Sequence, residues 1–257
     1  KVLGTTTKKH TTFYHLHNPA DFTKLNFLRY VPDTRLIMMV REPVQSCESW
    51  IRFSFIDNDY ADLSRQIITM LLAIDQIAFR KQDSIGVRLE DLKAYPKATL
   101  RSLSDWLGVR EEPCLYEMTA QGKKWWGDPT SPDYNTTKAM PPFDEASTRR
   151  PTGTIFSEQD QFILRTLFYP FRVRFGYQEP DADKFISDLQ EILPLLNQML
   201  GFEKTMLQRT KLAPEEFQRS GSYLALRACF QDRWNVLNQF RDYPYMLEPL
   251  KITYDSN

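Results

Sequence analysis

A short apolar segment that runs directly into an arginine and a proline constrains the fold of this chain more than any other feature. Residues 35–40 read Arg-Leu-Ile-Met-Met-Val, and this nearly unbroken apolar run predicts a strand buried on both faces of a parallel sheet. Pro43 suits the first turn of a helix, so Arg41 is predicted at the carboxyl end of that strand. Ligands of open α/β sheets bind at this edge, and an arginine can hold a phosphate through two parallel hydrogen bonds. Arg41 is therefore a predicted phosphate contact, and the Ser49 hydroxyl could supply a second one. The alternative is that Arg41 only caps the strand and Ser49 is an ordinary helix residue.

A second strand-and-helix pattern follows at residues 85–108. Residues 85–89 predict a strand, with Glu90 and Asp91 at its end. Pro96 is expected to begin a helix and Gly108 to cap it, with leucines on one face at positions 100, 103 and 107. A capping or salt-bridging role is favoured for the acidic pair over a catalytic one.

These two patterns, in this order, resemble the sulfotransferases that use 3′-phosphoadenosine 5′-phosphosulfate. In that family an Arg and a Ser eight residues apart hold the 3′-phosphate of the nucleotide, and Arg41 and Ser49 have this spacing. The resemblance is to the bacterial-type sulfotransferase domain and covers roughly residues 10–177. It implies an α/β core over residues 1–178, a P-loop-kinase-like parallel sheet flanked by helices. An all-helical extension over residues 179–257 is expected to pack on this core.

The resemblance also implies how a basic loop region would meet the nucleotide. The family commonly uses an Arg-Lys-Gly loop as its second 3′-phosphate contact, which makes Arg149, Arg150 and Gly153 candidates; a solvated basic loop is the alternative. Trp126, in a Gly-flanked Lys-Lys-Trp-Trp segment, is a candidate for stacking on the base or for lining the acceptor pocket; a hydrophobic plug over the core is the alternative. Leu89 stands where many relatives have an aromatic residue, so adenine stacking is not expected there.

The histidines suggest a general base. They cluster at positions 10, 15 and 17. Leu-His-Asn-Pro at 16–19 matches the end of the family's Lys-x-His-x-Pro pattern, whose His is the base, and this implies that role for His17. The lysine of the pattern is replaced by His15, so Lys8 or Lys9 is the candidate cation for the leaving phosphate. A purely structural His17 stays open, and a metal site at the histidines is disfavoured, so no metal is expected.

The implied reaction is in-line transfer of a sulfuryl group to a hydroxyl of a carbohydrate, lipid or small metabolite, leaving 3′-phosphoadenosine 5′-phosphate. The loop that cradles the 5′-phosphosulfate in the family is not recognisable, since Gly4-Thr5-Thr6-Thr7 echoes only its composition. That loop is expected upstream of residue 1. One alternative is a noncatalytic nucleotide-binding or interaction module. Another is a P-loop kinase-like phosphotransferase, opposed by the lack of a Gly-x-x-x-x-Gly-Lys-Ser/Thr motif.

Composition limits the classes of partner and the cellular compartment that are expected. The 33 basic and 33 acidic residues cancel, which argues against nucleic acid as a partner, and no apolar run is long enough for a membrane segment. Three widely spaced cysteines, Cys47, Cys114 and Cys229, form no disulfide framework and favour the cytoplasm. A membrane anchor upstream of residue 1 is left open.

Apolar residues at helical spacing predict further helices. A long amphipathic helix is predicted over residues 62–80, and Ser157 with Asp160 predicts the start of another. Apolar stripes over 185–199 and 226–237 are expected in the core or in a homodimer contact. Three arginines are expected on a solvated helix face, with an acceptor cleft or an anionic partner as the alternatives: Arg227, Arg233 and Arg241.

Overall fold

Two parallel strands lie where the sequence predicts them, but Met39 in the first is 48% exposed, so that strand is not buried on both faces as expected. Strand β1 (Leu36–Val40) pairs with β2 (Ser84–Arg88), with Leu36 opposite Ser84 and Val40 opposite Arg88. The computed structural model describes residues 13–14, 21–73, 79, 83–117, 119–120, 123–124, 142–143, 148, 151–210, 212–240 and 247–254. Within them the chain is α/β, with a three-stranded parallel sheet flanked by helices.

Helices make up most of the described structure. They are α1 (Asp21–Tyr30), α2 (Pro43–Ile56), α3 (Tyr60–Ala73), α4 (Leu89–Ala94), α5 (Pro96–Leu107), α6 (Glu158–Leu167), α7 (Tyr169–Arg174), α8 (Ala182–Ile192), α9 (Gly201–Gln208), α10 (Pro214–Gln218) and α11 (Gly221–Gln239). Short 3-10 helices cover Pro113–Tyr116 and Leu193–Leu195, and a small antiparallel pair joins β3 (Thr119–Ala120) to β4 (Lys123–Lys124). The helix predicted over 62–80 corresponds to α3, and most of its remainder lies outside the described residues.

The predicted starts and ends of helices are confirmed wherever they rest on local capping. Pro43 lies in the first turn of α2, and the Glu42 carboxylate accepts a hydrogen bond from the Gln45 N–H. Ser157 and Asp160 form a capping box at the start of α6. Gly108 ends α5 with a left-handed φ of 68°.

Helix α5 buries different residues from those its leucines suggest. The leucines at 100, 103 and 107 are only half-buried, whereas Thr99, Ser102 and Ser104 are buried. Two of these hydroxyls can be buried because they have backbone partners: Thr99 Oγ1 donates to the Asp91 carbonyl, and Ser102 Oγ accepts from the Thr253 N–H. The face of α5 turned toward the rest of the chain is therefore small and polar.

The segment after residue 178 is not all-helical, which corrects the expected extension. Strand β5 (Glu248–Pro249) pairs in parallel with β2, and the Leu250 N–H donates to the Gly86 carbonyl at 2.8 Å. A proline is tolerated here because an edge strand needs fewer backbone donors. Gly86 allows the close approach, since a Cβ at this position would lie 2.5 Å from the Phe175 ring.

One hydrophobic core joins the residues before and after 178. Its members include Ile51, Ile67 and Leu167 on one side of that position, and Leu196 and Phe230 on the other. The two predicted apolar stripes supply Phe185, Leu189, Ile192, Leu196, Leu226, Phe230 and Leu237, each at most 3% exposed. Both stripes thus pack inside this chain, as the core interpretation expects, and a homodimer remains a prediction.

The arginines of α11 are buried rather than solvated, a second correction. Arg227 forms an ion pair with Glu203 and donates to the Leu196 and Gln198 carbonyls. The Nε of Arg233 donates to the Leu167 carbonyl. Sequence periodicity assigned these positions to an outer face because it treats an arginine as polar, whereas a guanidinium with matched acceptors can be buried. Arg241 lies outside the described residues.

Candidate functional site

A cavity of about 410 Å³ lies between helix α2 and the segment that leads into α6. Its lining consists of Gln45, Glu48, Ser49, Arg52, Pro151, Thr154 and Ile155. The α2 residues among these are spaced by three or four positions, which places them on one side of the helix. Cavities of roughly 300–1,000 Å³ are typical of small-molecule sites, so this one is large enough for part of a nucleotide.

Arg41 is connected to this cavity through Gln45. The Arg41 Nε donates to Gln45 Oε1 at 3.0 Å, and Gln45 Nε2 donates to the Thr148 carbonyl at 3.1 Å. Arg41 follows β1 directly, at the carboxyl edge of the parallel pair. Gln45 and Ser49 lie one turn apart on the same side of α2, and both line the cavity.

Residues 153–156, here called the nest loop, form the opposite wall and enclose the carboxylate of Glu48. The N–H groups of all four residues donate to this carboxylate, at 2.9 Å from Gly153, 2.8 Å from Thr154, 3.3 Å from Ile155 and 3.4 Å from Phe156. Thr154 Oγ1 adds a fifth donor at 2.6 Å. Successive backbone N–H groups that converge in this way form an anion-binding nest. Glu48 is 5% exposed, so the nest holds a buried carboxylate of the chain itself.

Arg52 supplies a positive charge at the rim of the cavity. Its side chain is exposed and makes no hydrogen bond or ion pair with any residue that the structure describes. It lies one helical turn beyond Ser49, so a guanidinium and a hydroxyl share the α2 wall. This pair of donors can bind an anion that enters the cavity.

A separate polar network closes the carboxyl edge of the sheet. Glu90 accepts from the Glu42 N–H at 3.1 Å and from the Tyr177 hydroxyl at 2.9 Å, and Arg172 pairs with Glu42 at 3.1 Å. Burial, with the nearby charge of Glu90, raises the pKa of Tyr177 well above its usual value. Tyr177 thus stays a neutral hydrogen-bond donor, and the network joins the ends of β1 and β2 to the end of α7.

The acidic pair follows the favoured interpretation in part, because Asp91 forms an ion pair, whereas Glu90 contributes hydrogen bonds and no described side chain caps α4. Glu90 is occupied by the hydrogen bonds of this network, and Asp91 lies 3.6 Å from the Nε of Arg88. Burial raises the pKa of the Asp91 carboxyl, although the Arg88 charge opposes the shift. Neither residue lines the cavity beside α2. Their contacts favour a role in holding the strand ends together.

The predicted site residues divide into two groups. Arg41, Ser49 and Gly153 lie within the described residues. Ser49 lines the α2 cavity, whereas Arg41 and Gly153 each hydrogen bond to a residue that lines it, Gln45 and Glu48 respectively. Outside the described residues lie the predicted base, cations, stacking ring and loop arginines: His17, Lys8, Lys9, Trp126, Arg149 and Arg150. Their roles stay predictions.

Two residues of the site were missed by sequence reasoning. Glu48 follows a cysteine in the middle of α2, and its partners are more than one hundred positions away in the chain, so no local signal marks it. Arg52 carries a detectable signal, because it extends the 41, 45, 49 spacing by one turn. Reading the whole helix face, instead of the Arg and Ser alone, would have found it.

Within the part of the chain that the structure describes, no group of three or more His, Cys, Asp or Glu side chains is arranged to hold a metal ion. No helix there combines the length and apolarity that crossing a membrane requires. Comparisons with protein-family models, with curated proteins and with solved structures found no match to this chain.

Proposed function

We propose that this chain is a sulfotransferase that transfers a sulfuryl group from 3′-phosphoadenosine 5′-phosphosulfate to a hydroxyl of a carbohydrate, lipid or small metabolite. The α2 cavity is the proposed site of the nucleotide 3′-phosphate. A P-loop-kinase-like sheet is part of the same proposal, supported by the parallel pairing of β1 with β2 and by the ligand edge at Arg41.

A single long-range observation carries the proposal. The resemblance assigns the 3′-phosphate to two segments, the α2 face with Arg41 and Ser49 and a loop that includes Gly153. These segments are about one hundred residues apart, yet Ser49 lines the same cavity as Thr154 and Ile155 of the nest loop, and Gly153 hydrogen bonds to Glu48, the residue beside Ser49. Local sequence pattern does not dictate such a meeting, so it supports the assignment independently of the motif spacing.

The charges around the cavity also suit a phosphate. Arg52 is exposed at its rim, the Ser49 hydroxyl lies within it, and Arg41 is linked to it through Gln45. Among the described residues of the lining, the acidic side chain is that of Glu48, which accepts hydrogen bonds from five donors of the nest loop. A phosphate would thus meet a guanidinium and a hydroxyl, a favourable set of donors.

The proposed chemistry gives roles to His17 and to Lys8 or Lys9. His17 accepts the proton of the acceptor hydroxyl while that oxygen forms its bond to sulfur and the bond from sulfur to the 5′-phosphate oxygen breaks. Lys8 or Lys9 stabilises the charge that develops on the departing phosphate. A general base of this kind contributes about 10²–10⁴-fold to the rate. No metal is needed for these steps.

Calorimetric titration with 3′-phosphoadenosine 5′-phosphate and with 5′-AMP tests the donor site. We expect tighter binding of the first nucleotide, and we expect Arg41→Ala and Ser49→Ala each to weaken it while 5′-AMP binding changes little. A hydrogen bond to a charged phosphate is worth about 1.5–3 kcal/mol, which corresponds to about 10- to 150-fold per side chain. Arg110→Ala, at an exposed arginine paired with Glu112, is the matched control.

Sulfuryl transfer to a panel of hydroxyl acceptors then tests the activity. Selective binding without transfer would favour the noncatalytic nucleotide-binding module considered from the sequence. Equal binding of the two nucleotides would contradict the proposed function. Magnesium-dependent phosphoryl transfer from ATP would point instead to the kinase-like alternative.

A further inference from the structure

We propose that Glu48 is a positioning residue of the nucleotide site, whose carboxylate serves as a built-in anion that holds the nest loop in place as one wall of the cavity. This inference rests on the proposed function and adds to it a residue outside the Arg41 and Ser49 pattern. It predicts that the negative charge of Glu48 favours nucleotide binding, although the nucleotide is itself an anion.

The geometry of the nest loop supports a carboxylate as its natural occupant. Four consecutive N–H groups point to one place, and at Gly153 this requires a φ of 105°, which favours glycine. Such a concavity needs a negative charge because its backbone donors would otherwise be left facing one another. The Glu48 carboxylate supplies that charge from α2 and is 5% exposed.

Glu48 determines the shape of the cavity because its partners are themselves cavity residues. Thr154 donates to Glu48 through both its N–H and its hydroxyl, and Ile155 donates through its N–H. Both residues line the cavity opposite Ser49. The loop is held from its other side by Gln161, whose Nε2 donates to the Phe156 carbonyl at 3.1 Å.

Because Glu48 occupies the nest, the groups that bind the phosphate must come from elsewhere in the cavity. Because its N–H groups donate to Glu48, the nest loop contributes position and shape. The charge of the phosphate is met from the α2 side by Ser49 and Arg52, together with Arg41 as the proposed function has it. The change in nucleotide affinity on neutralising Glu48 therefore has a sign that can be measured. If Glu48 only repelled or blocked an anion, neutralising it would strengthen nucleotide binding; if it positions the loop, neutralising it weakens binding.

Glu48→Gln is the decisive variant because it keeps the size of the side chain and removes its charge. Titrations with 3′-phosphoadenosine 5′-phosphate and 5′-AMP give two affinities, and their ratio measures selectivity for the 3′-phosphate. We expect Glu48→Gln to lower affinity for the first nucleotide about 10-fold, with a smaller loss for 5′-AMP, so that the ratio falls. Unchanged or tighter binding of 3′-phosphoadenosine 5′-phosphate would overturn the proposal for Glu48 alone. Equal binding of both nucleotides by the wild-type protein would overturn the proposed function, and the role of Glu48 with it.

Controls separate positioning from general stability. A merely structural tie would lower the melting temperature and leave the affinity ratio of the folded protein unchanged, an outcome that also counts against the proposal. Thr154→Val keeps the backbone donors and removes one hydrogen bond to Glu48; it should shift the ratio in the same direction by about threefold, and it decides the question if Glu48→Gln does not fold. Glu191→Gln, at an exposed glutamate of α8, should leave the ratio unchanged.

Discussion

Gly153 is the residue whose backbone conformation most constrains the candidate site. Its φ of 105° is unfavourable for other residues, and a Cβ at this position would lie 3.0 Å from Gln161 Nε2. We expect Gly153→Ala to lower the free energy of unfolding by about 1–3 kcal/mol and to weaken binding of 3′-phosphoadenosine 5′-phosphate. Urea denaturation measures the first effect and titration the second. Gly108→Ala is the control, because its φ of 68° is also positive but it has no neighbour within 4 Å. It should cost stability without affecting binding, and equal binding losses in both variants would contradict the prediction.

The three cysteines should differ widely in reactivity. Burial, with a smaller contribution from the charge of Glu48, raises the pKa of the Cys47 thiol well above its usual value, and burial raises that of Cys229 to about 11. Cys114 is exposed. Since the thiolate is the reactive form, a thiol reagent at pH 8 should label Cys114 first in the native protein. Cys114→Ser should remove this fast phase, and fast labelling that persists in the variant would contradict the assignment.

Residues whose environment is set by long-range contacts could not be predicted from the sequence. Arg41 was placed at the end of a strand from its own neighbours, and its position after β1 agrees. Glu48 and the nest loop escaped prediction because their contact spans about one hundred residues. A charged residue in a helix reads as solvated from sequence alone, whereas Glu48, Arg227 and Arg233 are buried against partners that only the tertiary fold brings near.

At the scale of elements, local signals predicted most of what the structure contains. A capping box, an N-terminal proline and a C-terminal glycine each act through the backbone of their own turn, and for this reason the starts of α2 and α6 and the end of α5 were predictable. Strand β5 is two residues long and exists only because β2 offers its edge. No periodicity can reveal an element of that length.

A substitution beside β5 tests whether this region is integral to the core. Leu247, just before β5, is 1% exposed, and its Cδ2 would lie 3.2 Å from a Cβ at Gly86. We expect Leu247→Ala to lower the free energy of unfolding by about 2–5 kcal/mol, because it leaves a cavity beside the sheet. Leu224→Ala, on the exposed face of α11 at 56% exposure, should change it by less than about 0.5 kcal/mol. Similar small losses in both variants would show that β5 is not packed as described.

At the scale of the whole molecule, a buried polar cluster links α3, α9 and α11. Glu203 is fully buried; it forms an ion pair with Arg227 and accepts a hydrogen bond from the Tyr60 hydroxyl at 2.5 Å. Arg227 also donates to the Leu196 and Gln198 carbonyls, which precede α9. The cluster therefore joins α3, which packs on α2, to helices of the C-terminal part. A charge held this way cannot move to water without separating those helices.

Breaking this cluster should destabilise the molecule as one unit. Glu203→Gln keeps the shape of the side chain and leaves the Arg227 charge buried without its counterion, a change that costs about 3–5 kcal/mol in proteins. Chemical denaturation followed by tryptophan fluorescence and by far-UV circular dichroism should show a lower midpoint with the two probes still coincident, since the core is continuous across residue 178. Asp188→Asn, which breaks the exposed pair with Lys184, should change the midpoint little because solvent already screens that pair. If the two probes separate in Glu203→Gln, the C-terminal helices unfold on their own, and the cluster would then act as a contact between two independent units.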